Sequence, residues 1–146
     1  MNPVFLVEPD DIQDIWFGVR PIIEKALVHS EHALMSSDVL REILNNTMQL
    51  WVGFDNNEIA CVMTTEIHNY PRHKTLNVFT WSTATGHDFD IWYPEVMKCL
   101  DSYGEANNCT GLEAQCRKGL AKKLKQLDWE NEYSVITRPI KCKRGE

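Results

Sequence analysis

The sequence has no hydrophobic run long enough to cross a membrane. None of its apolar stretches reaches the roughly 18 consecutive residues that a transmembrane helix needs. The first residues, Met1 to Val4, do not form a basic region followed by an apolar one, which is the pattern of a secretory leader. We therefore expect a soluble protein of the cytoplasm that makes no contact with membranes.

The cysteines also lack any recognisable pairing. The chain has five of them, an odd number, and it contains no C-x-x-C motif and no pair of histidines at zinc-ligand spacing. This pattern excludes the usual disulfide frameworks and structural metal sites. We expect no metal and buried free thiols at most of the five positions, which are Cys61, Cys99, Cys109, Cys116 and Cys142.

The composition that is present suits one globular domain. Hydrophobic residues make up 43% and aromatic residues 10% of the 146 positions, enough to build a core. We predict a single domain over residues 1–140 and a charged tail over 141–146. Residues 1–116 contain 6 basic and 17 acidic side chains, whereas residues 117–146 contain 9 and 4. The acidic body makes nucleic acid an improbable partner, and the basic end is a candidate surface for an acidic protein.

Hydrophobic spacing predicts an α/β protein in which two helices precede most of the strands. Residues 12–23 and 39–48 carry apolar side chains at helical spacing, and Pro21 is expected to kink or interrupt the first helix. A turn at Asp55-Asn56-Asn57 separates two runs that predict an antiparallel hairpin. The full predicted order is a strand at 5–7, the two helices, strands at 50–54, 59–67 and 75–81, a helix at 90–105, a strand at 112–116, a basic helix at 120–127 and a closing strand at 133–138.

This order resembles the fold of the GCN5-related N-acetyltransferase (GNAT) family. The segment from Leu124 to Trp129 is similar to the family's Lys-Leu-Gly-Phe ending, with Asp128 in the place of the usual glycine. The resemblance covers nearly the whole chain and implies a mixed, mostly antiparallel central sheet flanked by helices. In length and style the chain is also similar to small GNAT-like proteins of tailed bacteriophages, which would place it in the host cytoplasm.

The resemblance implies a site for acetyl-CoA between the third long strand and the following helix. In the family, a glycine-rich loop and the helix N-terminus bind the pyrophosphate of coenzyme A through backbone N–H groups. The matching stretch here keeps Gly86 but has no arginine or glutamine, and it places Asp88 and Asp90 where the phosphates would sit. We therefore predict a degenerate loop, with these candidate coenzyme-binding residues: Trp81, Ser82, Thr83, Thr85, Gly86 and His87.

Glu66 and His68 are the candidate catalytic residues for the same reaction. Glu66 lies at the end of the second hairpin strand and His68 lies just beyond it, where the resemblance places the acceptor side of the sheet. Either side chain can accept a proton from an attacking amine. The alternative interpretation is that both are solvated surface groups beside the polar loop at 68–74. The family's usual acid, a tyrosine near the last helix, has no match between Leu120 and Leu127.

Two functions follow from the sequence. The first is an acyl-CoA-dependent N-acyltransferase, a candidate N-acetyltransferase, that acts on a small-molecule or protein amine through the loop at 82–89 and Glu66 or His68. The second is a non-catalytic protein with the GNAT fold, encoded by a phage, that works in virion assembly or binds a host protein through the loop at 68–74 or the basic end. Binding of coenzyme A distinguishes them.

Overall fold

A computed structural model describes residues 3–28, 34–116, 118–132 and 136–141. The elements of the sheet-forming part are β1 (Val4–Val7), α1 (Ile12–Leu27), α2 (Ser36–Leu44), β2 (Gln49–Asp55), β3 (Glu58–Asn69), β4 (Lys74–Thr83), α3 (Phe89–Ala106) and β5 (Gly111–Ala114), followed in the chain by α4 (Lys118–Lys125). A short 3-10 turn at Pro9–Asp11 leads into α1. The element order therefore agrees with the predicted order through the basic helix.

Two local predictions disagree with the structure. Helix α1 continues through Pro21 to Leu27 without the predicted interruption. Proline removes one backbone N–H, but the buried stripe of α1, which includes Val19 and Ile23 on either side of it, holds the helix against the sheet. The predicted closing strand at 133–138 is wrong over residues 136–138, which are not in a strand, and residues 133–135 lie outside the described residues.

The hairpin between β2 and β3 is closed by two asparagines. Asn56 and Asn57 have φ angles of 49° and 68°, the left-handed conformation that a tight two-residue turn requires at both positions. Asparagine adopts this conformation more readily than most residues, because its short polar side chain bonds locally. The predicted turn is therefore present, and it sets the register that pairs Asp55 with Glu58 and Phe54 with Ile59. Ala60 is then an extra residue in β3, which shifts the register so that Trp51 lies opposite Met63.

The five strands form one mixed sheet in the order β1-β2-β3-β4-β5. Neighbouring strands are antiparallel except for β4 and β5, which are parallel and joined through α3. The parallel pairing runs from Thr75 with Gly111 to Val78 with Ala114 and ends there. Strand β4 continues to Thr83, and over this part it is paired with β3 but not with β5. The sheet therefore opens between β4 and β5 beyond Val78.

Helices cover the two faces of the sheet differently. On one face, α1 and α2 pack on Leu50, Val52 and Val62 in an aliphatic cluster. On the other face lies α3, which contributes large aromatic side chains. Gly53 of β2 lies under the ring of Trp92, where a Cβ would come within 2.5 Å of Cζ3. Only glycine permits this close approach of helix and strand.

A bulge in β4 lies next to the point where β5 ends. Thr65 of β3 is opposite Val78, whereas the preceding residue, Thr64, is opposite Thr80. Phe79 is therefore the extra residue of β4 and takes no partner in the register. Bulges redirect a strand and often lie beside active sites. Here the bulge follows Val78 directly, at the apex of the opening.

The chain divides into two compact units, residues 1–116 and 117–146. The first contains the sheet with α1 to α3, and the second contains α4, in which Leu124 is buried. Backbone bonds from Leu127 and Trp129 to Leu124 close the end of α4. Among the described residues, no helix is both long enough and apolar enough to span a membrane.

Candidate active site

A row of polar side chains crosses the sheet at the apex of the opening. Asn77 of β4 is paired in register with Glu66 of β3 on one side and with Glu113 of β5 on the other. Directly paired residues project from the same face of a sheet. Since Val62 and Glu66 are four positions apart on β3, they share a face. The polar row, Glu66, Asn77 and Glu113, therefore lies on the face that α1 and α2 cover further along.

Hydrogen bonds connect the carboxylates of the polar row to their neighbours. Glu66 Oε1 is 3.0 Å from Nε2 of His68. On the β5 side, Tyr70 Oη donates to Glu113 Oε2 at 3.1 Å, and the Thr75 hydroxyl donates to the other oxygen of Glu113. The two predicted catalytic residues therefore contact each other, in a cluster that also contains two residues from the polar loop and β4.

Asn77 is buried in the middle of the row. Its side chain is 1% exposed, and neither Oδ1 nor Nδ2 has a hydrogen-bond partner among the described residues. A buried amide without partners destabilises a fold by roughly 1–3 kcal/mol. Most buried polar groups are satisfied, so an exception at this place needs an explanation such as a bound water or ligand.

The predicted coenzyme loop follows the end of β4 that extends beyond its pairing with β5. The N–H of Ala84 donates to the carbonyl of Ala60 at 2.7 Å, and the N–H of His87 donates to Ala84 at 3.1 Å, which folds the loop into a turn. Gly86 has a φ of 88°, a conformation that other residues rarely adopt, and no atom lies within 4 Å of where its Cβ would be. The loop therefore leaves open space over Gly86 at the end of β4.

Asp88 caps the helix that follows this loop. Its Oδ1 accepts from the N–H of Asp90 at 3.0 Å, so one of the unpaired N–H groups in the first turn of α3 is satisfied from within the chain. A carboxylate at this point also cancels part of the positive end of the helix dipole. The cap opposes the binding of phosphate at this helix end.

Two cationic or titratable side chains approach the same loop. Lys25, near the end of α1, donates from Nζ to the carbonyl of Thr83 at 3.2 Å. His87 places Nδ1 3.8 Å from Oδ2 of Asp55 in the hairpin turn. Ser82 and Thr83 are half-buried and Thr85 is exposed. Hydroxyl groups and one lysine thus surround the loop, although no arginine is present in it.

Trp81 differs from the other predicted loop residues because it is part of the core. Its ring lies 4.6 Å from that of Phe89 and stacks on Tyr93 at 6.0 Å, measured between centroids. These contacts fix the first turn of α3 against β4. Nearby, burial raises the pKa of the Cys61 thiol from 9.0 to about 12, an effect that the Trp81 side chain partly opposes.

Several residues of the site were not identified in the sequence. Asn77, Thr75 and Glu113 meet only through the register of β4 with β5, which depends on a crossover of many residues. Tyr70 lies in the loop at 68–74, which the sequence predicted as an interaction surface, but its bond to Glu113 was not predicted. Lys25 reaches Thr83 across 58 positions of the chain. The alternation of polar residues at 75 and 77 within an otherwise apolar run was the one available signal.

The basic end of the chain is described in part. Lys118, Lys122 and Lys125 are exposed along α4, as are Arg138 and Lys141 beyond it. Binding of an acidic protein there stays a prediction. In the described part of the chain, no three side chains of His, Cys, Asp or Glu are grouped so that they could hold a metal ion.

Comparison with solved structures identifies the fold class. Several solved structures that superpose over nearly the whole chain are acetyltransferases, and the chain has the mixed α/β fold of the GNAT acetyltransferases. The fold prediction is therefore confirmed. No protein-family model and no curated protein matches the chain by sequence.

Three of these structures illustrate the similarity. A ribosomal-protein-alanine N-acetyltransferase from Brucella melitensis biovar Abortus has a TM-score of 0.74, with 9% identity over 97% of this chain and 100% of that one. An aminoglycoside acetyltransferase from an uncultured soil metagenomic sample, in complex with sisomicin, has a TM-score of 0.73, with 9% identity over 97% of each chain. A predicted acetyltransferase with acetyl-CoA from Clostridium acetobutylicum has a TM-score of 0.72, with 12% identity over 94% and 96%. Similarity to a phage protein stays a prediction.

Proposed function

We propose that this protein is an acyl-CoA-dependent N-acyltransferase that acetylates a primary amine. The observation that carries the proposal is the opening of the sheet beyond Val78, with Glu66 and His68 in contact beside its apex. The loop around Gly86 lies at the far end of the same strand, β4. An extended thioester arm and an amine can thus meet along one strand. Structural neighbours that include an acetyltransferase with acetyl-CoA support the same reaction.

The residues of the loop fit the coenzyme in part. Acyl-CoA supplies the activated acyl thioester. Ser82, Thr83 and Thr85 offer hydroxyl groups, the open space over Gly86 allows close approach of the backbone, and Lys25 lies within reach of Thr83. Asp88 opposes phosphate at the start of α3. We therefore expect binding to be weaker than an uncapped helix end would give.

In the proposed reaction the amine nitrogen attacks the thioester carbonyl carbon. The carbon–nitrogen bond forms, the carbon–sulfur bond breaks, and the sulfur leaves as a thiolate that takes up a proton. Glu66 or His68 accepts the proton that the amine loses, directly or through water. Their contact at 3.0 Å allows the pair to share that proton, and holding both reactants on one strand supplies the proximity.

Titration calorimetry with acetyl-CoA and with free coenzyme A tests the proposal. We expect micromolar binding by the native chain and weaker binding by Gly86→Ala, because alanine is strained at a φ of 88° and the loop must change its path. Gly111→Ala is the matched control, since the space at Gly111 is open and no positive φ is required. Equal affinities of Gly86→Ala and the native chain would contradict a coenzyme site at this loop.

The second candidate is a non-catalytic protein with this fold, and the Asp88 cap favours it. If the helix end is closed by its own carboxylate, coenzyme A does not bind and the fold serves a protein surface. Calorimetry again separates the candidates. Absence of binding by the native chain, together with binding by an Asp88→Gly, Asp90→Ser variant, would support the non-catalytic candidate.

A further inference from the structure

The unpartnered side chain of Asn77 is the feature of the site that the proposed reaction does not explain. Proton transfer needs only Glu66 and His68, and the coenzyme loop lies at the other end of β4. Yet Asn77 is buried in the row with both of its polar atoms unsatisfied among the residues described. An amide in this state has one acceptor and two donors to offer to a ligand.

The surroundings of Asn77 are negatively charged. Glu66 and Glu113 flank it directly in the register, so one carboxylate lies on each side of the amide. The unit that contains them, residues 1–116, has 6 basic and 17 acidic side chains. A field of this sign concentrates small cations and repels anions. A group whose charge and hydrogen-bond donors complement two carboxylates and an amide oxygen is an ammonium group.

Access limits the size of what can bind. The side chains of Glu66 and His68 are 32% and 29% exposed, so solvent reaches the row from the β3 side. Asn77 is only 1% exposed, so the part of a ligand that contacts it must be narrow. An unbranched aminoalkyl chain is narrow enough, and its ammonium group can donate to Asn77 Oδ1.

We propose that Asn77, together with Glu66 and Glu113, forms the amine-acceptor subsite and that its ligand is a small polycation with a primary aminoalkyl group. The inference rests on the proposed acyltransferase function, because it names the class of acceptor for that reaction. The amide orients the amine, and the carboxylates compensate its charge until Glu66 or His68 removes a proton. Asn77 acts by contact with the acceptor, whereas the coenzyme loop takes no part in this recognition.

The test is calorimetric titration of the protein without coenzyme, using spermidine as the probe. We expect saturable binding by the native chain, and a loss of roughly tenfold or more in affinity for Glu66→Gln and for Asn77→Leu, as hydrogen bonds to a charged group are removed. Glu58→Gln is the matched control, since Glu58 is exposed at the opposite end of β3. The control should bind spermidine as the native chain does.

Asn77→Leu also separates a ligand role from a purely structural one. Replacing an unsatisfied buried amide by an apolar side chain of similar size should raise the melting temperature. We expect this gain together with the loss of spermidine binding. A gain in melting temperature with unchanged spermidine affinity would overturn the proposal, and so would unchanged affinity in Glu66→Gln, a half-exposed position that does not depend on core packing.

Two further ligands distinguish the sources of the amine. Sisomicin presents amines on a branched sugar framework, and a short peptide with an N-terminal alanine presents a peptide α-amine. Binding of spermidine that depends on Asn77 supports the subsite, whereas tighter binding of sisomicin than of spermidine would contradict a narrow aminoalkyl ligand. Binding of the peptide alone would contradict a small-molecule acceptor. Binding of acetyl-CoA without any binding of polyamine or sisomicin would end this inference and leave the proposed acyltransferase function intact.

Discussion

The two ends of β4 differ in how the polar groups nearest to them are bonded. At the end near Asn77, a buried amide lies between two carboxylates and has no hydrogen-bond partner in the described part of the chain. At the other end, the N-terminus of α3 has its own carboxylate, because Asp88 accepts from the N–H of Asp90. The first end keeps hydrogen-bonding groups that a ligand can use, whereas at the second end the fold itself uses one of these groups. We therefore expect the end of β4 near Asn77, the amine end, to bind an amine readily. We expect the end near Asp88, the coenzyme end, to bind coenzyme A weakly.

The largest expected effect comes from removing the packing that holds the coenzyme end together. Trp81→Ala deletes the contacts to Phe89 and Tyr93 and should lower the free energy of unfolding by about 3–5 kcal/mol, as for other large-to-small changes in a core. Urea denaturation measures this. Phe17→Ala is the control, because Phe17 is 90% exposed and should change the free energy by less than about 0.5 kcal/mol.

Removing the cap carboxylates tests whether they weaken binding at the coenzyme end. In the Asp88→Gly, Asp90→Ser variant, we expect affinity for acetyl-CoA to rise by roughly fivefold, since negative charge at a helix N-terminus no longer opposes phosphate. Glycine and serine are both accepted at or near an N-cap, so stability should change little. Asp101→Asn removes one charge further along α3 and serves as the control. An unchanged affinity would show that the cap does not limit binding.

The cysteines report whether the coenzyme end of β4 opens. Cys61 is paired with Thr83, the last residue of β4, and burial raises its pKa to about 12, while Cys116 is exposed. Since only the thiolate reacts, iodoacetamide at pH 8 should label Cys116 readily and leave Cys61 unlabelled in the native protein. Rapid labelling of Cys61 would mean that the end of β4 separates from β3.

The raised pKa of Cys61 also determines whether stability rises or falls with pH. Between pH 9 and pH 12 the unfolded chain loses the Cys61 proton while the folded chain keeps it. The stabilisation is present below pH 9 and is lost as the pH rises toward 12. Burial also raises the pKa of Tyr103 and of Cys99, so both act in the same direction. Thermal melts across this range should show a steady decrease, and Cys61→Ala should make the decrease shallower.

The smallest expected effect concerns the rim of the amine end. Tyr70→Phe removes the hydrogen bond to Glu113 and should cost about 0.5–1.5 kcal/mol of unfolding free energy. Because Tyr70 is exposed, we expect a value near the lower limit. Urea denaturation measures the change. A larger loss than that for Trp81→Ala would contradict the view that the core at the coenzyme end is the more strongly packed of the two.

Sequence patterns predicted the elements of this protein well because those patterns are local. Periodicity over a few turns places α1, α2 and α3, and two asparagines specify the hairpin turn. The cap on α3 was also predictable, since Asp88 bonds a group only two positions away. Each of these depends on neighbours in the chain.

The amine subsite was only half predictable for the opposite reason. Glu66 and His68 are two positions apart on β3, so their contact follows from the strand itself. The placement of Asn77 between Glu66 and Glu113 depends on pairing across two strands, one of which follows a long helix. The bulge at Phe79 also shifts the register within β4. No short-range pattern contains that information.

The most direct test of the account is the release of free thiol from acetyl-CoA in the presence of spermidine, followed by mass spectrometry of the amine. We expect spermidine to gain the mass of one acetyl group, with the rate lowered by roughly tenfold or more in Glu66→Gln and unchanged in Glu58→Gln. Thiol release that is independent of added amines, or no acetylation of any tested amine at saturating acetyl-CoA, would contradict the central claim.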